Sequence, residues 1–382
     1  MTQMAQALGD TTVVCLSAMG PVPFAAMLLG DFGAQVIRVD RPGSSGSVTG
    51  LPPQDDPRTR GHWGIGIDLR GAVGRSVLLR LAARADVFLE GMRPGAVEKL
   101  GIGPDELLAA NPGLVYGRAT GWGQSGPRAA EAGHDINYAG LAGGVFPLGQ
   151  PDQPPLPPLN LLADFGGGGL YLALGVLAAL HQREVTGRGQ VVDASMVDGV
   201  ASLTTMLHGM LGAGLWSDRR GDNLLDGAAH FYRTYRTADD RFVAVGALEP
   251  QFYARLLDAL ELPPADWPQH DRARWPELSA RLAVVFASRT RAQWEQLFAG
   301  RDACVTPVLS LAEAAASAEL RERGTFVDWG GIPQPAPAPR LSESAVVERP
   351  RSGLYSHTDQ VLADIGYSRD EVAALRADQV VS

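Results

Sequence analysis

The first half of the chain alternates short apolar runs with longer stretches of helical periodicity. The run Val13–Leu16 is typical of a buried parallel strand, and a turn with one glycine and two prolines separates it from a helical stretch, Phe24–Phe32. The same alternation continues downstream, with strands predicted at 36–39, 87–89, 114–118 and 190–193 and helices at 76–85, 104–110 and 165–182. This pattern indicates the α/β class, and we expect a large, doubly wound, Rossmann-like parallel sheet.

The pattern changes at the start of the second half. Residues 196–216 form one long apolar stretch with helical periodicity, and residues 231–246 resemble an antiparallel pair of strands. Two helical stretches follow at 249–260 and 289–299, the second with Ser288 as its predicted N-cap. This half of the chain therefore predicts a smaller α+β domain.

Changes in composition give the expected domain limits. The chain exceeds the length of one ordinary domain, so we divide it into two domains with linkers between them. The large Rossmann-like domain covers 1–195 and is completed by 330–382, the linker helix is 196–230, the small α+β domain is 231–318, and the return linker is 319–329.

Composition and charge narrow the classes of partner. With 382 residues, 45% hydrophobic and 20% charged, the chain can bury a large core. The net charge of −9 argues against nucleic acid or an anionic membrane as a partner. Residues 1–10 lack a secretory signal, and the longest uncharged apolar stretch, 165–180, is short of a membrane span. We therefore expect a cytoplasmic protein with no membrane partner.

Three common kinds of site lack their motifs. The first βα turn, Ala18–Pro23, does not contain G-x-G-x-x-G, which argues against dinucleotide binding. The segment Gly123–Pro127 misses the G-x-S-x-G elbow of serine hydrolases. The two cysteines form no C-x-x-C, and no H-E-x-x-H is present, so no metal site is predicted.

One histidine and two acidic residues are candidates for a catalytic role. A histidine such as His134, between a glycine-rich loop and a predicted helix, is structural more often than catalytic when it stands alone. Asp164 precedes four consecutive glycines, and a role as helix N-cap would explain the carboxylate but not the glycines. Glu249 has a similar alternative as an acid favoured by a helix dipole.

Taken together, the segments around these residues are similar to those of the α-methylacyl-CoA racemases, a group within the family III CoA-transferases. The resemblance covers nearly the whole chain and includes Arg38–Gly43, Glu90–Gly95, Thr120–Gln124, Gly189–Asp193 and the tail 357–381. Most of these segments are shared by the superfamily and indicate fold and CoA binding. Transferase members usually have an aromatic residue at the position of His134, so this histidine favours the racemase interpretation.

The resemblance implies both an assembly and a reaction. The assembly is a homodimer of interlocked rings, with each active site between the large domain of one chain and the small domain of the other. The reaction interconverts (R)- and (S)-2-methylacyl-CoA thioesters by removal and return of the α-proton through an enolate. His134 and Asp164 are the expected proton-transfer groups, and Glu249, from either chain, is expected to hydrogen-bond His134. CoA is part of the substrate, and no cofactor is expected.

The resemblance also implies where CoA binds. Arg41, Arg93 and Lys99 would meet the phosphates of CoA. The amide of Asp135, at a helix start, is the candidate oxyanion donor. The chain departs from the family at His62 and Trp63, where the family usually has a basic pair. The expected CoA-binding residues are Arg41, Ile67, Asp68, Leu69, Arg70, Gly91, Met92, Arg93, Lys99, Gly133, Asp135, Ile136, Asn137 and Tyr138.

Two other functions stay open at this point. In a CoA-transferase, Asp164 would attack an acyl-CoA and carry the acyl group as a mixed anhydride. In an inactive CoA-binding scaffold, no 2-methylacyl-CoA would be turned over. The presence of His134, Asp164 and Glu249 argues against the scaffold.

Overall fold

The computed structural model of the protein describes residues 6–44, 51, 55–344, 347–351 and 353–382. The described residues divide into two units. The first unit is formed by 1–144, 158–204 and 324–382, and the second by 145–157 and 205–323. The first unit thus extends past residue 195, the limit expected from the sequence.

Strands and helices are numbered here in chain order. The strands are β1 Thr12–Leu16, β2 Gln35–Asp40, β3 His62–Gly66, β4 Val87–Glu90, β5 Val115–Thr120, β6 Val191–Ser195, β7 Tyr232–Arg236, β8 Phe242–Gly246, β9 Val305–Val308, β10 Phe326–Trp329 and β11 Ile332–Pro335. The helices are α1 Pro21–Asp31, α2 Ala72–Ala82, α3 Ala96–Lys99, α4 Pro104–Ala110, α5 Asp135–Leu141, α6 Tyr171–Thr186, α7 Met196–Leu203, α8 Thr205–Gly212, α9 Pro250–Ala259, α10 Trp275–Phe286, α11 Arg291–Phe298, α12 Leu311–Ala316, α13 Ala318–Glu322, α14 Thr358–Asp364 and α15 Arg369–Ala377. A π-helical segment, Leu161–Leu170, leads directly into α6.

The first unit is built on a six-stranded sheet in the order β3-β2-β1-β4-β5-β6. All neighbouring strands in it are parallel. One face packs against α1 and α6, and the other against α2, α14 and α15, so apolar clusters lie on both faces. Burial on both faces explains the continuous apolar runs of β1 and β4. The predicted doubly wound α/β fold is confirmed.

Strand β3 is an element that the sequence did not reveal. Its residues, H-W-G-I-G, include two glycines and a single β-branched residue, so the usual strand signal is weak. The glycine at position 64 has a packing reason, since a Cβ there would lie 2.0 Å from the carbonyl oxygen of Leu354. The C-terminal segment therefore passes directly against this edge of the sheet.

The C-terminal segment also completes the apolar core of the first unit. The amide of Asp68 donates to the carbonyl of Val380 at 2.8 Å, and Ile67 pairs with Val381 in an isolated bridge. Leu362 and Leu375, from α14 and α15, are buried in the core cluster. The segment thus closes the sheet edge from which residues 67–70 leave.

The continuous helical run Leu161–Thr186 is longer than the apolar stretch judged from the sequence. It has 26 residues, an 18-residue window within it has a mean hydropathy of 1.6, and by length and composition alone it could cross a membrane. A core helix of a soluble protein meets the same test, and α6 contributes Leu172, Val176 and Leu180 to the core. The run is therefore weak evidence for a membrane span.

Two details in the second half differ from the predictions. The single helix expected over 196–216 is divided at Thr204, where α7 ends in the first unit and α8 begins in the second. The N-cap of α11 is Thr290 and not Ser288, because the Thr290 hydroxyl accepts the amide of Gln293. The hydroxyl of Ser288 instead donates to the carbonyl of Val285 at 2.6 Å.

The second unit has its own antiparallel sheet and its own core. Its three strands lie in the order β7-β8-β9, and α9, α10 and α11 pack on them around Phe231, Tyr235 and Trp294. The segment 145–157 also belongs to this unit. The Arg220 guanidinium donates hydrogen bonds to three main-chain carbonyls of that segment. This unit has the α+β composition expected from the sequence.

Candidate active site

A large cavity of about 1250 Å³ lies in the first unit at the carboxyl ends of its strands. Residues that follow β1, β2, β3 and β4 line it, which is where ligands bind in open parallel sheets. His134 and Asp164 both line this cavity. The structure therefore brings together two candidates that lie thirty positions apart in the sequence.

His134 is held at the start of α5. It is the N-cap residue, with φ −134° and ψ 175°, and its amide donates to the Asn137 side chain at 3.0 Å. This contact fixes the backbone of His134 in an extended conformation, while its side chain is exposed. The imidazole is thus presented from a rigid helix terminus.

Asp164 lies on the π-helical segment and packs against the first turn of α1. A Cβ on Gly20 would lie 2.9 Å from Oδ2 of Asp164, and Gly20 has φ +65°, so only glycine suits this position. The four glycines at 166–169 allow α1 and α7 to approach the π-helical segment closely. A Cβ on Gly169 would lie 2.8 Å from the Phe24 ring, and one on Gly167 would lie 2.9 Å from the amide of Val200. Short π-helical runs are frequent at functional sites.

The carboxyl of Asp164 is electrostatically perturbed. The pKa of Asp164 is raised to about 6, first by burial and then by the negative charge of Asp135, whereas His134 and Arg58 act to lower it. Asp135 is itself in contact with this segment, because its Oδ2 accepts the amides of Ala163 and Asp164 at 2.7 Å each. Near neutral pH, Asp164 can therefore both donate and accept a proton.

The expected CoA-binding residues fall into two groups. Arg70 lines the cavity but is exposed and paired with Asp68 at 2.9 Å. The expected residues that line the cavity are Arg41, Ile67, Asp68, Leu69, Arg70, Met92 and Asp135. Those that do not line it are Gly91, Arg93, Lys99, Gly133, Ile136, Asn137 and Tyr138.

Arg58 is a cavity residue that sequence reasoning missed. It lies on a short 3₁₀ turn, Pro57–Thr59, and its guanidinium binds the carboxylate of Asp56 at 2.6 to 3.1 Å. The available signal was Asp56 followed by proline, which is typical of a helix start.

Arg58 also bears on the departure from the family at positions 62 and 63. Burial, followed by the charge of Arg38, lowers the pKa of His62 to about 3, so His62 is neutral. Trp63 stacks on His357 with ring centroids 5.0 Å apart. Arg58 therefore supplies a cation to the cavity where neither of these residues does.

Glu249 lies in the second unit. It is the N-cap residue of α9 and its side chain is exposed. Its charge contributes to the raised pKa of Cys304, after burial and the charge of Asp302. No cluster of three metal-binding side chains occurs among the residues that the structure describes.

Known proteins resemble this chain over almost its whole length. Residues 8–353 match the CoA-transferase family III. The chain is 48% identical over 378 residues to the alpha-methylacyl-CoA racemase of Mus musculus, which covers 98% of this chain and 97% of that protein. It is 46% identical over 380 residues to the alpha-methylacyl-CoA racemase of Homo sapiens, with coverage of 98% and 97%. A solved CaiB/BaiF family protein from Brucella suis superposes with a TM-score of 0.81 at 26% identity, covering 94% of this chain and 99% of that one.

Proposed function

Because the chain belongs to the CoA-transferase family III and is closely similar to racemases within it, we propose that it is a racemase of 2-methylacyl-CoA thioesters. It interconverts their (R) and (S) forms. The observation that supports this activity best is that His134 and Asp164 line one cavity and that the charge of His134 acts on Asp164. An imidazole and a carboxyl at one cavity can exchange the roles of acid and base.

The proposed reaction moves one proton at a time. One group of the pair removes the α-proton, and the electron pair of the broken C–H bond moves into the thioester carbonyl to give an enolate. The other group delivers its proton to the opposite face of the α-carbon, which restores the carbonyl. The pair therefore holds one shared proton before and after the reaction, with the two roles exchanged.

The negative charge that develops on the enolate oxygen needs a hydrogen-bond donor. The amide of Asp135 is the first of helix α5, where an amide has no partner within the helix and the helix dipole favours negative charge. We assign this amide as the oxyanion donor, in keeping with the buried position of its residue at the cavity. Arg41, Arg58 and Arg70 are the cations at this cavity that would meet the phosphates of CoA.

Several further properties rest on the family resemblance. We propose that the protein is a cytoplasmic homodimer and that Glu249, from the same or the partner chain, orients His134. The reaction uses no metal and no cofactor, since both proton-transfer groups come from side chains.

The activity is tested by isotope exchange. With (R)- or (S)-2-methylacyl-CoA in deuterated water and no acceptor acid, both epimers should accumulate and carry α-deuterium. His134→Ala should reduce this exchange at least about 100-fold without a change in Tm. His181→Ala, an exposed histidine on α6, is the matched control and should leave exchange unchanged.

Two outcomes would overturn the proposal. Absence of α-deuterium together with hydroxylamine labelling of Asp164 would indicate a transferase that forms an aspartyl anhydride. Absence of both would indicate a CoA-binding scaffold.

A further inference from the structure

The side chain of Asp135 makes contacts that the proposed oxyanion role of its amide does not explain. Asp135 is only 6% exposed, although it lines the cavity. Its Oδ2 accepts the amides of Ala163 and Asp164, both at 2.7 Å. Its Oδ1 is buried and has no hydrogen-bond partner among the residues that the structure describes. A buried carboxylate that leaves one oxygen unpaired is costly, so it calls for a reason.

The two amides explain part of this arrangement. They lie in the first turn of the π-helical segment, where amides have no partner within the helix. The next amide, of Phe165, already donates within the segment to the carbonyl of Asn160. Asp135 thus acts as an N-terminal cap supplied by a different helix. Because Asp135 directly follows His134, the same two bonds join the histidine's helix to the segment that carries Asp164.

We propose that the side chain of Asp135 is a positioning residue, which fixes His134 relative to Asp164 and supplies a negative charge beside Asp164. This inference rests on the proposed racemase activity. It adds a role for a carboxylate that takes no proton from the substrate.

The groups around Asp164 show how the charge of Asp135 ranks among the influences on its carboxyl. The titratable groups that act on Asp164 are Asp135, His134 and Tyr138 from α5 and Arg58 from the 57–59 turn. The groups that meet the same segment from α1 and α7 are apolar, among them Phe24, Met196 and Val200. Asp135 is the charged group that raises the pKa of Asp164, next in size to burial.

The matching experiment is the pH profile of kcat for Asp135→Asn. The asparagine carbonyl oxygen can still accept both amides but has no charge. The acidic limb of the profile should move to lower pH by about 0.5 to 1 unit, because the pKa of Asp164 falls, while kcat at the optimum stays within about fivefold. Asp135→Ala also loses the two hydrogen bonds, so its kcat should fall at least about tenfold with little change in KM.

Two further variants make the result decisive. Arg58→Gln removes a group that lowers the pKa of Asp164, so the acidic limb should move to higher pH. Asp105→Asn, an exposed acid in the first turn of α4, changes the net charge equally and should not move the limb.

A folded Asp135→Asn protein with an unmoved acidic limb overturns the inference. If that variant does not fold, an unmoved limb in Arg58→Gln overturns it instead. Failure of the racemase activity is distinguished by the wild-type protein, which would then show no α-exchange at any pH.

Discussion

At the scale of single residues, the carboxyl proposed for proton transfer, Asp164, has an electrostatic cost to the fold. Its pKa is raised to about 6, first by burial and then by Asp135. The folded state therefore binds the proton more tightly than the unfolded chain does. The tighter proton binding stabilises the folded state. This contribution is fully present below the usual pKa near 4 and is lost as the pH rises through 6. At neutral pH, the ionised carboxylate therefore lowers the free energy of unfolding.

Asp164→Asn should therefore be more stable than the wild type at pH 7.5, by about 1 kcal/mol after allowance for solvent screening. At about pH 3.5 the difference should largely disappear, because the wild-type carboxyl is then mostly protonated in both the folded and the unfolded state. Urea unfolding at the two pH values measures this, and Asp105→Asn serves as the control. An equal difference at both pH values would show that the carboxyl is not perturbed.

The sequence suggested which residues are candidates for chemistry but not how they are held. His134 and Asp164 were chosen as candidates because a motif surrounds each of them. The contacts of Asp135 and Arg58 were not found, because they join segments far apart in the chain. Asp135 reaches an amide 28 positions away, and Arg58 acts on a carboxyl more than a hundred positions away. Such pairs depend on how helices pack, which periodicity does not encode.

At the scale of elements, glycines determine how the π-helical segment packs against its neighbours. The sequence left the four consecutive glycines unexplained, and the structure shows that α1 and α7 pack closely against them. The π-helical geometry itself was not predicted, since a helical pattern does not distinguish it from an α-helix. Strand β3 was missed for a related reason, because its glycines serve close packing and weaken its strand signal.

The crossing of α7 with the π-helical segment gives a test of this packing. A Cβ on Gly199 would lie 1.9 Å from the carbonyl oxygen of Gly167, and backbone atoms cannot move aside as a flexible side chain can. Gly199→Ala should therefore lower the free energy of unfolding by about 3 kcal/mol.

The matched control is Gly209→Ala on α8, where the added methyl meets nothing within 4 Å. It should change stability by less than about 1 kcal/mol, in the stabilising direction expected from helix propensity. Chemical denaturation of both variants measures the difference, and similar values for the two would contradict the close packing of α7.

At the scale of the whole molecule, two units with separate cores share one chain. The residues that line the large cavity all belong to the first unit, whereas the cluster around Trp294 belongs to the second. A chain with two cores does not unfold as a single two-state system.

Calorimetry should therefore show two unfolding transitions, and CoA should raise mainly the Tm of one of them. At 100 times its Kd, CoA adds about 2.7 kcal/mol to the unit that binds it. Trp294→Ala should lower the Tm of the other transition and leave the Tm of the CoA-dependent transition unchanged. A single transition that CoA shifts as a whole would contradict independent cores.

The division of the first unit among three parts of the chain has a consequence during protein synthesis. Its core requires Val361, Leu362 and Leu375, which a ribosome makes only after the whole second unit. At about 5 to 20 residues per second, the roughly 160 residues between Thr204 and Val361 take about 8 to 32 seconds. For that time, the nascent first unit exposes an unfinished apolar face beside β3. Chaperones bind surfaces of this kind, so the yield of active protein should depend on their supply during translation.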